Sequence, residues 1–271
     1  MKRFFIILAT LAMTAGATFA QTYIQYADSA DNYIRSRNWP AAERVILSAL
    51  REEPGNPSNP LLVTNLGIVR NHLEKYESAV ESFDLALGRL PQSTVALTGR
   101  AESFIALEKY DRALADLDRA EEVDSTLTLP LAMKGYLLLR LNRPADALPV
   151  FDRFARLAPE EAVAHAGRGD CLAGTADLKE AVAAYKEALA LDPRPEWRFR
   201  TGLLLLELND LEGAAEQARL TIASAPRYGD IYILMALIHR RRYEAHEAEV
   251  AEKMARDLGA DPELIRLYLG K

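Results

Sequence analysis

The sequence predicts an all-α protein, a solenoid of about seven helix–turn–helix repeats that ends in a short C-terminal capping helix. Three observations lead to this prediction: a composition that favours helix, prolines that recur at a near-constant spacing, and small residues at two further fixed positions. Of the 271 residues, 49% are hydrophobic but only 8% are aromatic. Alanine and leucine dominate the hydrophobic set, and both lose little on entering a helix.

The first twenty residues have the layout of a secretory signal peptide. Lys2 and Arg3 precede apolar residues 4–13, and small residues then lead to Ala20. We therefore expect cleavage after Ala20 and export of residues 21–271. A retained membrane anchor is the alternative, but the apolar stretch is shorter than the roughly 20 residues that a spanning helix needs. We expect no other transmembrane segment.

Charge and residue types exclude several classes of function. The formal net charge is −6, and an acidic chain without a basic stripe is a poor binder of nucleic acid. The single cysteine, Cys171, excludes an internal disulfide and a cysteine-rich zinc site,. The four histidines form no metal-binding motif, and the chain contains no phosphate-binding loop or dinucleotide fingerprint,. We therefore expect no cofactor and no metal, and a buried, unreactive Cys171.

The repeat is defined by prolines and small residues in register. Successive prolines lie 33 to 37 residues apart, with one double gap of 68. These prolines are Pro54, Pro91, Pro159, Pro193 and Pro226. Twelve residues before each expected proline stands an alanine, in the series Ala42, Ala79, Ala113, Ala147, Ala181 and Ala214. Twelve residues before each alanine stands another small residue, in the series Ala30, Gly67, Ala101, Gly135, Gly169 and Gly202. Because proline cannot extend a helix, it marks the end of the second helix of each unit.

These columns resemble the tetratricopeptide repeat, a 34-residue helix–turn–helix unit. The best match consists of Leu66, Gly67, Tyr76, Ala79, Phe83, Ala86 and Pro91. The resemblance implies a right-handed superhelical solenoid, because a single helix pair cannot bury both of its faces. The start of the mature segment is also similar to exported proteins of the Bacteroidetes, which implies a periplasmic member of this family.

The repeat boundaries follow from the same columns. The units are predicted at approximately 23–56, 60–93, 94–127, 128–161, 162–194, 195–228 and 229–262. The three extra residues near Gly55 indicate an enlarged loop. Asp261 and Pro262 are a typical N-cap and first helical residue, so a capping helix is predicted at 262–270,.

The resemblance implies that the first helices line a concave face that binds a protein or an extended peptide. The predicted contact residues on this face are Thr64, Asn65, Asn71, Thr98, Glu102, Met133, Tyr136, Arg140, Asp170, Phe199 and Arg200. Neither Tyr136 nor Thr98 is expected to fill a contact between repeat helices, so their substitution should leave the melting temperature nearly unchanged. The lysine–asparagine clamp with which some members hold a terminal carboxylate is absent.

Two other functions remain open at this point. The chain is predicted to be a non-enzymatic scaffold in the cell envelope, but it could instead be a spacer that self-assembles through its end repeats. An enzyme is the third hypothesis, with Glu102, Tyr136, His165 and Asp170 as its best constellation. An exposed apolar face on a terminal repeat would favour assembly, whereas a distinct groove lined by first helices would favour binding.

Overall fold

The computed structural model describes residues 22–270, and the predicted signal peptide 1–20 lies outside them. Over the described range the secondary structure is helical, without a strand, as the sequence predicts. Fifteen described helices form seven consecutive pairs and one short final helix. They are α1 (22–35), α2 (Trp39–Glu52), α3 (Asn59–His72), α4 (Tyr76–Leu87), α5 (Thr94–Ala106), α6 (Tyr110–Val123), α7 (Thr128–Arg140), α8 (Pro144–Leu157), α9 (Ala162–Gly174), α10 (Leu178–Leu191), α11 (Pro195–Glu207), α12 (Leu211–Ser224), α13 (Asp230–Arg241), α14 (Ala245–Asp257) and α15 (Pro262–Leu269).

The chain divides into two compact units, with the boundary between Pro130 and Leu131. In the N-terminal unit each helix from α2 to α6 packs on the next, and the first helices α3 and α5 also contact each other. The alanines of the second helices, Ala42, Ala79 and Ala113, are fully buried. Small residues at these positions let neighbouring helices approach closely.

An aromatic ring fills the space beside the first-helix glycines of the N-terminal unit. The ring of Phe83 on α4 is fully buried. A Cβ atom added at Gly67 would lie 2.6 Å from this ring, and one added at Gly99 would lie 2.5 Å from it. Neither glycine can therefore carry a side chain unless the ring moves. The absence of side chains at these two positions leaves the space that the Phe83 ring occupies.

The same arrangement recurs in the C-terminal unit around Phe151 of α8, which is also fully buried. A Cβ atom would lie 2.6 Å from the Phe151 ring at Gly135 and 2.2 Å from it at Gly167. The helices from α8 to α14 each pack on the next, and α11 and α15 both contact α13. The core of this unit continues through Tyr185, Trp197 and the second-helix alanines into α15.

Each helix pair contains one turn residue with a left-handed backbone. These residues are Arg37, Glu74, Glu108, Asn142, Ala176, Asn209 and Tyr243, with φ between 56° and 66°. Only two of them are asparagine, the residue type that tolerates this conformation best after glycine. Tyr243, the turn residue of the last pair, is 95% exposed and does not contribute to the core.

The two segments that depart from the repeat are also well defined. In the enlarged loop, the Asn59 amide donates hydrogen bonds to the carbonyl oxygens of Glu53 (2.7 Å) and Pro54 (3.0 Å). At the other end, the Asp261 carboxylate accepts a hydrogen bond from the backbone N–H of Glu263 (2.8 Å) and so caps α15. The side chains of α15 that face the core are buried.

Candidate functional site

An open groove of about 490 Å³ lies within the C-terminal unit. Helices α9, α10, α11 and α15 and the start of α13 form it. Its lining residues are Asp170, Ala173, Leu178, Tyr185, Glu196, Phe199, Arg200, Leu203, Leu204, Glu207, Tyr228, Asp230, Leu264 and Tyr268. We call this feature the C-terminal groove.

Helix α11 is the main wall of the C-terminal groove. Pro195 is its first residue, where proline's missing N–H costs nothing,. One side of the helix is held in the core by Trp197 and Thr201, both buried, and the Thr201 hydroxyl donates to the Trp197 carbonyl oxygen (2.7 Å). Helical periodicity then turns Glu196, Leu203 and their neighbours toward the groove.

A charged network connects α9, α10 and α11 across the floor of the groove. Both the Tyr185 hydroxyl and the Arg200 guanidinium donate hydrogen bonds to Oδ1 of Asp170. The Tyr185 ring is almost fully buried and lies against Gly169, where an added Cβ would be 2.8 Å from it. Asp170 therefore fixes Arg200 on the groove wall and satisfies the one polar atom of a buried tyrosine.

The electrostatics of the groove favour neutral tyrosines and a charged arginine. Burial raises the pKa of Tyr185, and the Asp170 carboxylate raises that pKa further. Burial lowers the pKa of Arg200, but the negative charge of Asp170 and the hydrogen bonds of Arg200 outweigh it, and the net pKa lies above the usual value. Burial and then Asp230 raise the pKa of Tyr228. The tyrosines of the groove are thus hydrogen-bonding groups and do not supply a base near neutral pH.

Helix α15 closes one end of the groove. The Tyr268 ring meets the buried Phe199 ring edge to face, with centroids 6.4 Å apart at an angle of 89°. The backbone N–H of Asp261 donates to Oδ1 of Asp230 (2.8 Å), which ties the start of α15 to the start of α13. This wall comes from outside the repeat pattern.

Tyr136 of α7 lies beside the same network and is also part of the packing. Its ring meets the Phe151 ring edge to face at a centroid distance of 5.0 Å, and its hydroxyl donates to the Val163 carbonyl oxygen (3.3 Å). It remains 41% exposed. Burial raises the pKa of Tyr136, and the charge of Asp170 raises that pKa further.

Three of the predicted contact residues, Asp170, Phe199 and Arg200, come together in the C-terminal groove. On α7, Arg140 is exposed and Met133 is half-buried. Four further residues line this groove and were not predicted from the sequence: Glu196, Glu207, Tyr228 and Tyr268. Glu196 and Glu207 lie seven residues before and four residues after Leu203, so helical spacing from that position would have found them.

The predicted contact residues of the N-terminal unit divide into buried and exposed sets. Thr64, Asn71 and Thr98 are buried, with Thr98 only 8% exposed, whereas Asn65 and Glu102 are exposed. The Thr64 hydroxyl donates to the Pro60 carbonyl oxygen (2.9 Å), which lets a polar residue enter the interior.

Asn71 is held by neighbours on α5 and does not face solvent. Its amide donates to the Gly99 carbonyl oxygen (2.9 Å) and to Oε2 of Glu102 (3.2 Å), and its oxygen accepts from the Ser103 hydroxyl (2.6 Å). Buried side chains of this kind contribute to stability. The expectation that Thr98 and Tyr136 fill no contact between repeat helices is therefore wrong, because Thr98 is buried and Tyr136 packs on Phe151. Their substitution should accordingly lower the melting temperature.

Within the C-terminal unit, His165 of the constellation considered for an enzyme is bonded to groups outside that constellation. His165 lies with Nδ1 2.9 Å from Oε2 of Glu187 and Nε2 2.8 Å from the Pro159 carbonyl oxygen, whereas Asp170 bonds to other side chains. Cys171 is buried, and burial raises the pKa of its thiol to about 12. Among residues 22–270, no group of histidine, cysteine and acidic side chains is placed to hold a metal ion. Within the same range, no helix combines the length and the apolar character needed to cross a bilayer.

Paired helices with small residues at their contacts define a helical repeat protein, and comparison with known families identifies the repeat. The profile of the family described as Tetratricopeptide repeat matches residues 28–94, 132–194 and 174–229. These matches cover more than half of the chain, so the protein belongs to the tetratricopeptide repeat family. Members of this family bind protein partners and are generally non-catalytic scaffolds.

Two curated relatives match shorter stretches. Tetratricopeptide repeat protein 12 from Mus musculus is 29% identical over 117 residues, which are 43% of this chain and 15% of that protein. DnaJ homolog subfamily C member 3 from Rattus norvegicus is 32% identical over 83 residues, which are 31% of this chain and 16% of that protein. The chain therefore spans about a sixth of the length of these relatives.

Solved structures of the same fold match most of the chain. A tetratricopeptide repeat protein from Parabacteroides merdae ATCC 43184 aligns with a TM-score of 0.69 and 22% identity, over 92% of this chain and 98% of its own. PilW, a type IV pilus biogenesis factor, aligns with a TM-score of 0.65 and 22% identity, over 79% of this chain and 99% of its own. At these identities the likeness shows the fold alone, and it confirms the prediction of an all-α tetratricopeptide repeat solenoid.

Proposed function

We propose that this chain is a non-enzymatic scaffold in the cell envelope that holds an extended peptide segment of a partner protein in its C-terminal groove. The observation that carries the proposal is the groove itself: about 490 Å³ of open space walled by the first helices α9 and α11 and closed by α15. Exposed and partly exposed aromatic, leucine and charged side chains line it together. Binding energy at protein interfaces concentrates in aromatic and arginine anchors of this kind.

The rigidity of the groove supports recognition without a large conformational change. Its floor is fixed by the bonds from Tyr185 and Arg200 to Asp170, and its end is fixed by the contact of Tyr268 with Phe199. Pre-organised side chains lose less conformational entropy on binding, which favours affinity. A peptide would therefore meet a surface that is already in its binding conformation.

Selection from a display library of random dodecapeptides tests the groove directly. The immobilised chain should enrich peptides whose binding is lost in Leu203→Trp, because the larger side chain fills the groove wall without changing its charge. Leu157→Trp is the matched control, since Leu157 is 41% exposed on α8 and does not line the groove. If no peptide is enriched, or if every enriched peptide binds both variants equally well, the groove is not a peptide site.

Self-assembly through the last repeat is the second candidate, and one observation favours it. Val250 and Met254 of α14 are 50% and 36% exposed, and they border an apolar depression of about 230 Å³ between α13 and α14. Sedimentation velocity should then show association of the wild-type chain that is lost in Val250→Lys/Met254→Lys. A monomer at all concentrations would exclude this function.

Export is part of the proposal and rests on the sequence of residues 1–20. The basic start, the apolar stretch and the small residues before Ala20 are the supporting features,. Mass spectrometry of the protein from its native cells should find a new N-terminus at Gln21 in the periplasmic fraction. A soluble cytoplasmic form that begins at Met1 would refute it.

A further inference from the structure

The groove face of α11 carries an acidic residue at each end and an apolar residue between them. Glu196 and Glu207 both line the C-terminal groove, as does Leu203. The two glutamates are eleven residues apart, which corresponds to three turns and about 16 Å along a helix that rises about 1.5 Å per residue. Three turns bring them back to the same side of α11, so both carboxylates border the same groove.

Other acidic side chains of the groove are already satisfied. Asp170 is paired with Arg200, which cancels one negative charge, and Asp230 accepts a hydrogen bond from the backbone of Asp261 (2.8 Å). In the described part of the chain, Glu196 and Glu207 have no hydrogen-bond or ion-pair partner. The groove thus keeps two unpaired carboxylates at its two ends.

The cation near Glu196 does not neutralise its carboxylate. Arg194 lies near Glu196 in charge interaction, but its Nε already donates to Oδ2 of Asp192 (2.6 Å). The charge of Glu207 is felt by Tyr268. Burial is the larger cause that raises the pKa of Tyr268, and the negative charge of Glu207 raises that pKa further. The negative potential of Glu207 therefore reaches into the aromatic end of the groove.

We propose that the C-terminal groove selects a peptide segment with two basic side chains, one for Glu196 and one for Glu207, separated by an apolar side chain that packs on Leu203. This inference rests on the proposed function and names its ligand chemistry. An extended chain rises about 3.3 Å per residue and its side chains alternate between two faces, so two basic residues that both face α11 stand about four or six positions apart. Charge complementarity of this kind suppresses acidic partners and raises the association rate.

Sequencing of the peptides enriched in the display selection gives the first test. Groove-binding peptides, recognised by their loss of binding to Leu203→Trp, should be rich in lysine or arginine at two positions four or six residues apart. If peptides bind the groove but carry no excess of basic residues over the starting library, the charge selection is refuted while the proposed function stands. If no peptide binds the groove, both are refuted.

Affinity measurements on the most enriched groove-binding peptide give the second test. Fluorescence anisotropy should show at least a tenfold weaker affinity for Glu196→Gln/Glu207→Gln than for the wild-type chain, and a wild-type affinity that falls steeply between about 50 and 500 mM salt. The control Glu180→Gln/Glu249→Gln removes the same charge from exposed positions on α10 and α14 and should keep the wild-type affinity. Equal affinity in both double variants, at unchanged melting temperature, would overturn the proposal.

Discussion

Gly167→Ala should destabilise the contact between α8 and α9, although alanine is the better helix former. The added Cβ atom would lie 2.2 Å from Cε1 of Phe151, a separation that non-bonded atoms cannot maintain. The ring has no free space to move into, because it is fully buried and its opposite edge faces Gly135, where an added Cβ atom would lie 2.6 Å from it. The backbone of α9 must therefore shift away from α8.

The size of the effect follows from two opposing terms. Overpacking a well-packed core costs about 1–3 kcal/mol, and a contact as short as this one belongs at the upper end. Alanine in place of glycine in a helix recovers about 1 kcal/mol. We therefore expect Gly167→Ala to lower the free energy of unfolding by about 1–2 kcal/mol. Once Phe151→Ala has removed the ring, the same change should raise it by about 0.5–1 kcal/mol.

A double-mutant cycle of Gly167→Ala and Phe151→Ala, with urea unfolding followed by circular dichroism, measures whether the effect of Gly167→Ala on the free energy of unfolding changes sign. Because helical repeats do not always unfold in one step, hydrogen exchange should locate the loss in α8 and α9. Gly88→Ala is the control, since a Cβ there meets only the carbonyl oxygens of its own helix, at 3.4 Å or more. If Gly167→Ala were equally unfavourable with and without the Phe151 ring, the ring would not be the cause.

Three further experiments test the left-handed turn residue Ala176, the buried thiol of Cys171 and the ion pairs of Glu43. Ala176→Gly should raise the free energy of unfolding by about 0.5–1 kcal/mol, because glycine adopts the φ of 66° without strain,; urea unfolding measures this. Cys171 should not react with a thiol reagent at pH 8 until the chain is unfolded, since burial raises its pKa to about 12,. Burial raises the pKa of Glu43, but hydrogen bonds from Lys75 and Arg70 lower it to a net value below 4.5. This carboxylate therefore stabilises the fold above pH 4.5, and acid unfolding between pH 4.5 and its lower folded-state pKa should be less steep in Glu43→Gln.

The repeat was predictable from the sequence because every unit needs small residues at the same helix–helix contacts. Buried alanines such as Ala79 and Ala147 recur at the same position of each unit, and they keep that position even after the enlarged loop that follows the first unit. The capping of α15 by Asp261 was predictable for a different reason, since a side-chain acceptor followed by proline is a local signal,.

The left-handed turn residues carry no comparable signal. Glu74, Glu108 and Arg37 adopt positive φ because the packing of the two helices fixes the turn between them. Residue type then has little influence on the conformation of the turn. The left-handed conformation costs a non-glycine residue about 1–2 kcal/mol, and contacts elsewhere in the helix pair offset this cost. The burial of Thr98 was missed for a related reason: the period shows which positions lie on the groove side of a first helix, but a neighbouring helix decides whether they reach solvent.

The C-terminal groove shows why a site on a repeat protein is harder to predict than its fold. Repetition places equivalent residues on every first helix, so the repeats by themselves supply similar walls throughout the array. A distinct site needs an element that breaks the pattern, and here α15 provides it. Tyr268 closes the groove against Phe199, while Ile265 and Leu269 of the same helix are buried in the core. The helix that shields the last repeat from solvent therefore also distinguishes this groove from the surface of any other pair.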